Sequence, residues 1–318
     1  MVRDLIIVAL AVLLVYAALS PLESLRWWTS KGRGQGAHTI NRLLGEPRWN
    51  PADAPKNYLV YLSGVGALDP SSNSRRERAL LQRITELVED VVVLDDVFPY
   101  AVDNQGLLSG EHRRQGFWAR LRRVRRKAPL LPVHYIINLR NAMQMFVSAD
   151  KRYGPAYNFG IAEQIWQSLS RAGYHPDSGS TIHLLGYSGG GQIAIGAAWH
   201  LGVAGIDVSV ISIGGMLSDD PGLDHVTHLT HLHGSKDRLQ GLGTWLFPGR
   251  WPTAPLSSWH KAERAGRITM VELPGVVHDG PGDYFDPTPR DDGTNNAELT
   301  AAAIAEAVTR AGTQASAS

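Results

Sequence analysis

Apolar and polar positions change rhythm at Asn57. From there, short aliphatic and β-branched runs at 58–62, 91–94, 181–185, 208–213, 226–232 and 268–273 are bounded by Gly, Pro, Asn, Asp or Ser. Runs of four to seven residues without a polar alternation predict strands buried on both faces. Between them the period lengthens. Leu80, Leu81, Ile84, Leu87 and Val88 fall at helical spacing behind Ser74-x-x-Glu77, a capping box in which each side chain satisfies the other residue's backbone N–H. A second helix is predicted over 160–172, closed by Gly173, and another over 297–311 behind Asn295-Asn296. The run 134–139 fits either a short strand or the opening of a helix. Strands alternating with helices call for an α/β fold: a mainly parallel sheet with helices on both faces.

The chain before Asn57 follows other rules. Residues 5–19 are uncharged and, apart from Tyr16, aliphatic, and the run continues through Ser20-Pro21-Leu22. As a helix it is roughly 22–27 Å long, just short of a bilayer's hydrocarbon core. Arg26-Trp27-Trp28 then supplies an interfacial anchor. Residues 1–22 are therefore read as a single-pass N-terminal transmembrane anchor, with a cleaved signal peptide and a soluble helix as competing readings; Ala17-Ala18-Leu19-Ser20 makes a mediocre cleavage site. Arg26, Lys31 and Arg33 after the segment, against Arg3 before it, lean toward the cytoplasmic face and leave the side open. Residues 23–56 read as a linker with a short helix near 39–44, residues 57–312 as one domain, and 313–318 as a disordered tail.

Two inserts interrupt the domain, at 98–132 and 239–260. Within the first, Phe117, Trp118, Leu121 and Val124 recur at helical spacing among the arginines of 113–127. Such a basic amphipathic stretch suits either a helix lying on anionic lipid or a cap helix with a solvated charged face. The second carries Trp245, Leu246, Phe247, Trp251 and Trp259, content that suits a lid or acyl-pocket wall, or packing against the sheet.

Composition narrows the chemistry. A chain of 318 residues is long enough for one large α/β domain. A formal net charge of +1 argues against a global polyanion-binding role, and outside the basic stretch the domain is not basic as a nucleic-acid binder would be. The absence of cysteine excludes disulfides, thiolate metal sites and a cysteine nucleophile. His231-x-His233 near Asp237 offers alternate strand residues on one face, an incomplete metal set.

Gly186-Tyr187-Ser188-Gly189-Gly190 stands directly after the strand at 181–185 and before a helical pattern from Gln192. Strand, G-x-S-x-G, helix is the pattern of a nucleophile elbow, a turn so tight that positions beside the serine must lack side chains. With this motif in that element order, 57–312 resembles the α/β-hydrolase superfamily, over about four-fifths of the chain. The resemblance implies a chain order of nucleophile, acid, histidine. Ser188 would be the nucleophile. Asp237, in Gly234-Ser235-Lys236-Asp237 past the strand at 226–232, would be the acid, and His278, in Pro274-Gly-Val-Val-His278 past the last strand, the base. Asp219 and Asp220, after the strand at 208–213, are alternative acids, Asp207 begins its strand at the wrong edge, and His260 is the alternative base. The family's oxyanion donors map to the backbone N–H groups of Gly189 and of Val65 in Ser63-Gly64-Val65-Gly66. Gly64 is the alternative, because this loop opens with Ser-Gly where lipase-type loops usually have His-Gly. The implied function is a membrane-anchored serine hydrolase cleaving carboxylic ester or thioester bonds of a hydrophobic or acylated substrate, a small molecule or lipid, without cofactor or metal. An acyltransferase on the same residues, or a non-catalytic membrane-tethered binding protein, are the alternatives.

Overall fold

The computed structural model describes residues 11, 12, 15, 54–67, 73–100 and 133–315. The six apolar runs form one sheet: β1 (Asn57–Leu62), β2 (Val91–Leu94), β3 (Thr181–Tyr187), β4 (Val208–Ile213), β5 (Val226–Gly234) and β6 (Ile268–Leu273). Every neighbouring pair is parallel, in the order β2-β1-β3-β4-β5-β6. Parallel neighbours need a crossover, and helices supply them. In chain order these are α1 (Arg75–Leu87), α2 (Val133–Ala149), α3 (Gly154–Arg171), α4 (Gly189–Val203), α5 (Arg238–Leu246), α6 (Ser258–Arg264) and α7 (Asn296–Ala315).

Side chains that alternate along a strand belong to two separate cores. Tyr58, Val60 and Leu62 of β1 join Ile161, Ile165 and Ile193 from α3 and α4 on one face. Leu59 and Tyr61 join Leu80, Ile84, Ile304 and Val308 from α1 and α7 on the other. Each fully buried aliphatic side chain contributes about 1.5–3 kcal/mol relative to exposure, so both faces of the sheet are energetically committed. A parallel sheet sandwiched in this way fits the α/β-hydrolase fold.

The order of the strands also fixes where a site belongs. The chain steps from β1 outward to β2, then returns to place β3 on the other side of β1. At such a switch point the loops leaving the two strands part, opening a crevice at their carboxyl ends. Those loops are 63–67 and the elbow at Ser188.

The capping box of α1 forms as predicted: Glu77 N–H donates to Ser74 Oγ at 3.1 Å and Ser74 N–H to Glu77 Oε2 at 2.6 Å. Leu87 keeps the helical spacing yet lies exposed. The run 134–139 is helical, part of α2. The helix predicted over 160–172 begins at Gly154, because Pro155 sits in its first turn, where a missing N–H costs nothing. β3 and β5 each run two residues further than their apolar runs, and α7 continues to Ala315, into the stretch expected to be a tail. The proposed anchor 1–22, the helix near 39–44 and the basic stretch 113–127 lie outside the described residues, except that Ala11, Val12 and Val15 are helical and exposed. Among the described residues no helix is long and apolar enough to cross a membrane.

Candidate active site

Ser188 stands between the last residue of β3 and the first of α4 with φ 51° and ψ −120°. A β-carbon in this region of backbone space costs on the order of 1–3 kcal/mol, so the surroundings must over-determine it. They do. Ser188 N–H donates to Ile213 O at 2.9 Å, and its own carbonyl accepts from Gly191 N–H at 3.1 Å. The glycines of the motif are steric requirements: a Cβ on Gly186 would lie 2.4 Å from Gly191 N, and one on Gly190 2.3 Å from Leu62 O.

Ser188 Oγ lies 3.0 Å from His278 Nε2, and His278 Nδ1 lies 2.8 Å from Asp237 Oδ2. A carboxylate only accepts, so the proton rests on Nδ1 and leaves Nε2 free to accept from the serine hydroxyl. Asp237 is buried, and its Oδ1 also accepts from Leu239 N–H at 2.9 Å and Gln240 N–H at 3.2 Å, capping α5. Burial pushes this carboxyl up, but the hydrogen bonds from His278 and Tyr284 outweigh it and hold it below the ordinary aspartate value. It is therefore an anion across the neutral range. The loops carrying the acid and the histidine are stitched together: Ser235 N–H donates to Leu273 O at 3.0 Å, Lys236 N–H to Val276 O at 3.1 Å, and Gly275 N–H to Ser235 Oγ at 2.7 Å. Gly234 permits this approach, since a Cβ there would sit 2.3 Å from Val276 O.

Tyr187, the variable position of the motif, ties the elbow to the histidine loop. Its hydroxyl donates to the His278 carbonyl at 2.8 Å, and its ring lies over the imidazole with centroids 5.7 Å apart at 23°. Gly64 makes room for that ring, as a Cβ there would meet Tyr187 Cδ1 at 2.7 Å.

Gly189 opens α4, so its N–H has no carbonyl four residues back within the helix. A Cβ on it would lie 2.9 Å from Val65 Cγ1, so the Val65 side chain packs against Gly189. The 63–67 loop is held from beneath by a residue that the sequence did not single out. Asn141, fully buried on α2, donates through Nδ2 to Val65 O at 2.7 Å and to Ala67 O at 2.8 Å. Tyr100 braces the same loop, donating to Ser63 O at 3.2 Å.

Ser188 and His278 open onto a cleft of about 630 Å³ whose other walls include Val65, Ala67, Tyr187, Phe285, Asn138, Arg76, Asp279 and Asp283. Arg76 is paired with Asp283 and also donates to Phe285 O at 3.1 Å. No residue of 239–260 is among those lining this cleft. The insert divides instead: Trp259 is buried with the Arg250 guanidinium 3.5 Å over its ring, whereas Trp245 and Trp251 are exposed.

The alternative residues lie elsewhere. Asp219 pairs with Lys151 at 2.6 Å, and Asp220 accepts from Gln192 Nε2 at 3.1 Å and Gly222 N–H at 2.8 Å. His260 is satisfied by Glu263 and the Trp251 carbonyl, each at 3.0 Å. His231 is buried, with its nitrogens 3.2 Å from Ser212 Oγ and 3.4 Å from Gln240 Oε1, and burial pushes its pKa down to about 3. Among the described residues, no group of three or more His, Asp or Glu side chains is disposed to hold a metal ion.

No family model and no curated protein sequence matches the chain. Solved structures resemble it loosely. A dienelactone hydrolase from Anabaena variabilis is 15% identical with a TM-score of 0.43, the match covering 80% of this chain and 86% of that one. A carboxylesterase from Mesorhizobium loti is 13% identical with a TM-score of 0.42, covering 80% and 91%. A carboxyl esterase 2 from the fungus Tuber melanosporum is 8% identical with a TM-score of 0.46, covering 81% and 79%. The activities in those names are those proteins' own.

Proposed function

We propose that this chain is a serine hydrolase that cleaves carboxylic ester or thioester bonds through an acyl-enzyme on Ser188. The supporting observation is the unbroken hydrogen-bond chain from Ser188 Oγ through His278 to the buried carboxylate of Asp237, at 3.0 and 2.8 Å. A serine hydroxyl is a poor nucleophile until a base removes its proton during attack, and imidazole does this near neutral pH. Ser188 Oγ adds to the acyl carbonyl as its proton passes to His278 Nε2. Asp237 stabilises the imidazolium without taking the proton. The N–H groups of Gly189 and Val65 receive the oxyanion, where a single donor is worth on the order of 3 kcal/mol of barrier. Collapse expels an alcohol or thiol, which leaves with the proton from His278. Water, deprotonated by the same nitrogen, then releases the acid.

The cleft beside Ser188 mixes apolar walls from Val65, Ala67, Tyr187 and Phe285 with polar ones from Arg76, Asn138, Asp279 and Asp283, which supports a hydrophobic or acylated ester that also carries groups for polar partners. In this reading the apolar run 5–22 tethers the domain to a membrane, with the cytoplasmic face favoured by the flanking charges.

The test is turnover of short-chain ester and thioester substrates with product analysis in the presence of a competing alcohol. Release of free acid, lost in Ser188→Ala, supports hydrolysis. Acyl transfer to the alcohol in preference to water identifies a transferase instead, and no turnover of any activated ester points to a binding protein.

A further inference from the structure

We propose that Tyr284 is a positioning residue of this site: its phenol shares the carboxylate oxygen that receives the His278 N–H, and so sets how strongly Asp237 supports positive charge on the imidazole. The inference rests on the hydrolase reading of Ser188, His278 and Asp237. Tyr284 is completely buried, on the chain that follows His278. Its hydroxyl donates to Asp237 Oδ2 at 2.7 Å, the same atom that accepts from His278 Nδ1 at 2.8 Å. The direction is fixed, because the phenol oxygen also accepts from Gly234 N–H at 2.8 Å, which leaves its one proton for the carboxylate. The fold reserves the space. Gly214 has φ 55°, and a Cβ there would lie 2.8 Å from Tyr284 Cε2 and 2.9 Å from Asp237 Oδ2.

Asp237 thus receives four donors, two backbone N–H groups on Oδ1 and His278 with Tyr284 on Oδ2. Each donor draws charge from the carboxylate. A carboxylate freed of the phenol would hold the imidazolium more tightly, so the base form of His278 would be present only at higher pH. The other groups facing this cluster are Tyr187 of β3, Asp279 and Asp283 on the same loop as Tyr284, Arg76 and Glu77 of α1, and His231 of β5. All are unchanged by a substitution at 284, and burial keeps His231 neutral over the working range.

The test is the pH profile of kcat/KM for wild type, Tyr284→Phe and a protein carrying 3-fluorotyrosine at 284 alone, with thermal midpoints measured beside it. Tyr284→Phe is expected to move the acidic limb up by about half a pH unit, roughly a threefold loss below the limb. The fluorinated phenol is a stronger donor and moves the limb down. A limb that stays fixed in both proteins, or moves the same way in both, overturns the inference, whatever happens to the midpoint. If Tyr284→Phe does not fold, the fluorotyrosine protein decides alone. Failure of the hydrolase reading is separate: it shows as full activity in Ser188→Ala.

Discussion

Asp220 and Asp237 leave the same rim of the sheet just after neighbouring strands, both are buried, and each uses one carboxylate oxygen to cap the turn that follows it. Their second oxygens meet different partners. In Asp220 that oxygen receives the amide of Gln192 on α4, and burial pushes the carboxyl up to about 6 against the opposing pull of its hydrogen bonds. In Asp237 it receives His278 and Tyr284, and the carboxyl is held below its usual range despite burial. The capping oxygen is set by local sequence and is alike in both. The other oxygen is set by which distant element reaches it, and only the loop after β6 brings an imidazole.

The largest effect separates the two carboxylates directly. Asp237→Asn is expected to lower kcat on the order of 10³- to 10⁴-fold, because the amide presents the wrong partner to the histidine tautomer. Asp220→Asn is expected to leave kcat of the folded protein within about threefold. Equal losses in steady-state assays of the two variants would erase the distinction.

Moving the loops sharpens it next. A Cβ on Gly234 would press on Val276 O at 2.3 Å and part the acid from the histidine, whereas one on Gly222, in the turn after Asp220, would press on Ile195 O in the body of α4 at 1.9 Å. Both Gly234→Ala and Gly222→Ala are expected to cost about 1–3 kcal/mol in denaturant titrations, by overpacking. Only Gly234→Ala is expected to lower kcat per folded molecule, by about 100-fold, through misplacement of reacting groups.

The smallest effect is in stability against pH. Asp220 binds its proton more readily folded than unfolded, so its ionisation removes stability as pH rises from about 4 to about 6. Asp237 has the opposite sign: its lowered value adds stability above the unfolded range and loses it as pH falls. In unfolding titrations across that window, Asp220→Asn should abolish a decline on the order of 1–2 kcal/mol that wild type shows. A decline of the same size in both proteins would contradict the assignment.

The same contrast between local and distant determinants explains what was legible in the sequence. The strands declared themselves as uninterrupted apolar runs, α1 by its capping box, and the elbow by glycines that its own tight turn demands. Asp219, Asp220 and Asp237 remained alternatives, because each follows a strand into a Gly- or Pro-containing turn and the capping chemistry reads the same in all. Asn141, Tyr284 and the contacts of Tyr187 left no local signal: their bonds to Val65, Asp237 and His278 close over 76, 47 and 91 residues. Composition likewise described the insert at 239–260 as apolar but not which of its side chains are covered: Trp259 is buried whereas Trp245 and Trp251 are exposed, and the cleft beside Ser188 is lined by other elements.

The central claim is that the Asp237 loop, through His278, makes one alcohol oxygen reactive. Exposing the protein to a fluorophosphonate and mapping the adduct by peptide mass tests it most directly. A single phosphonyl adduct on Ser188 is expected, absent in Ser188→Ala, slowed by orders of magnitude in Asp237→Asn and unchanged in Asp220→Asn. No adduct on native protein, or one that persists in Ser188→Ala, would contradict it.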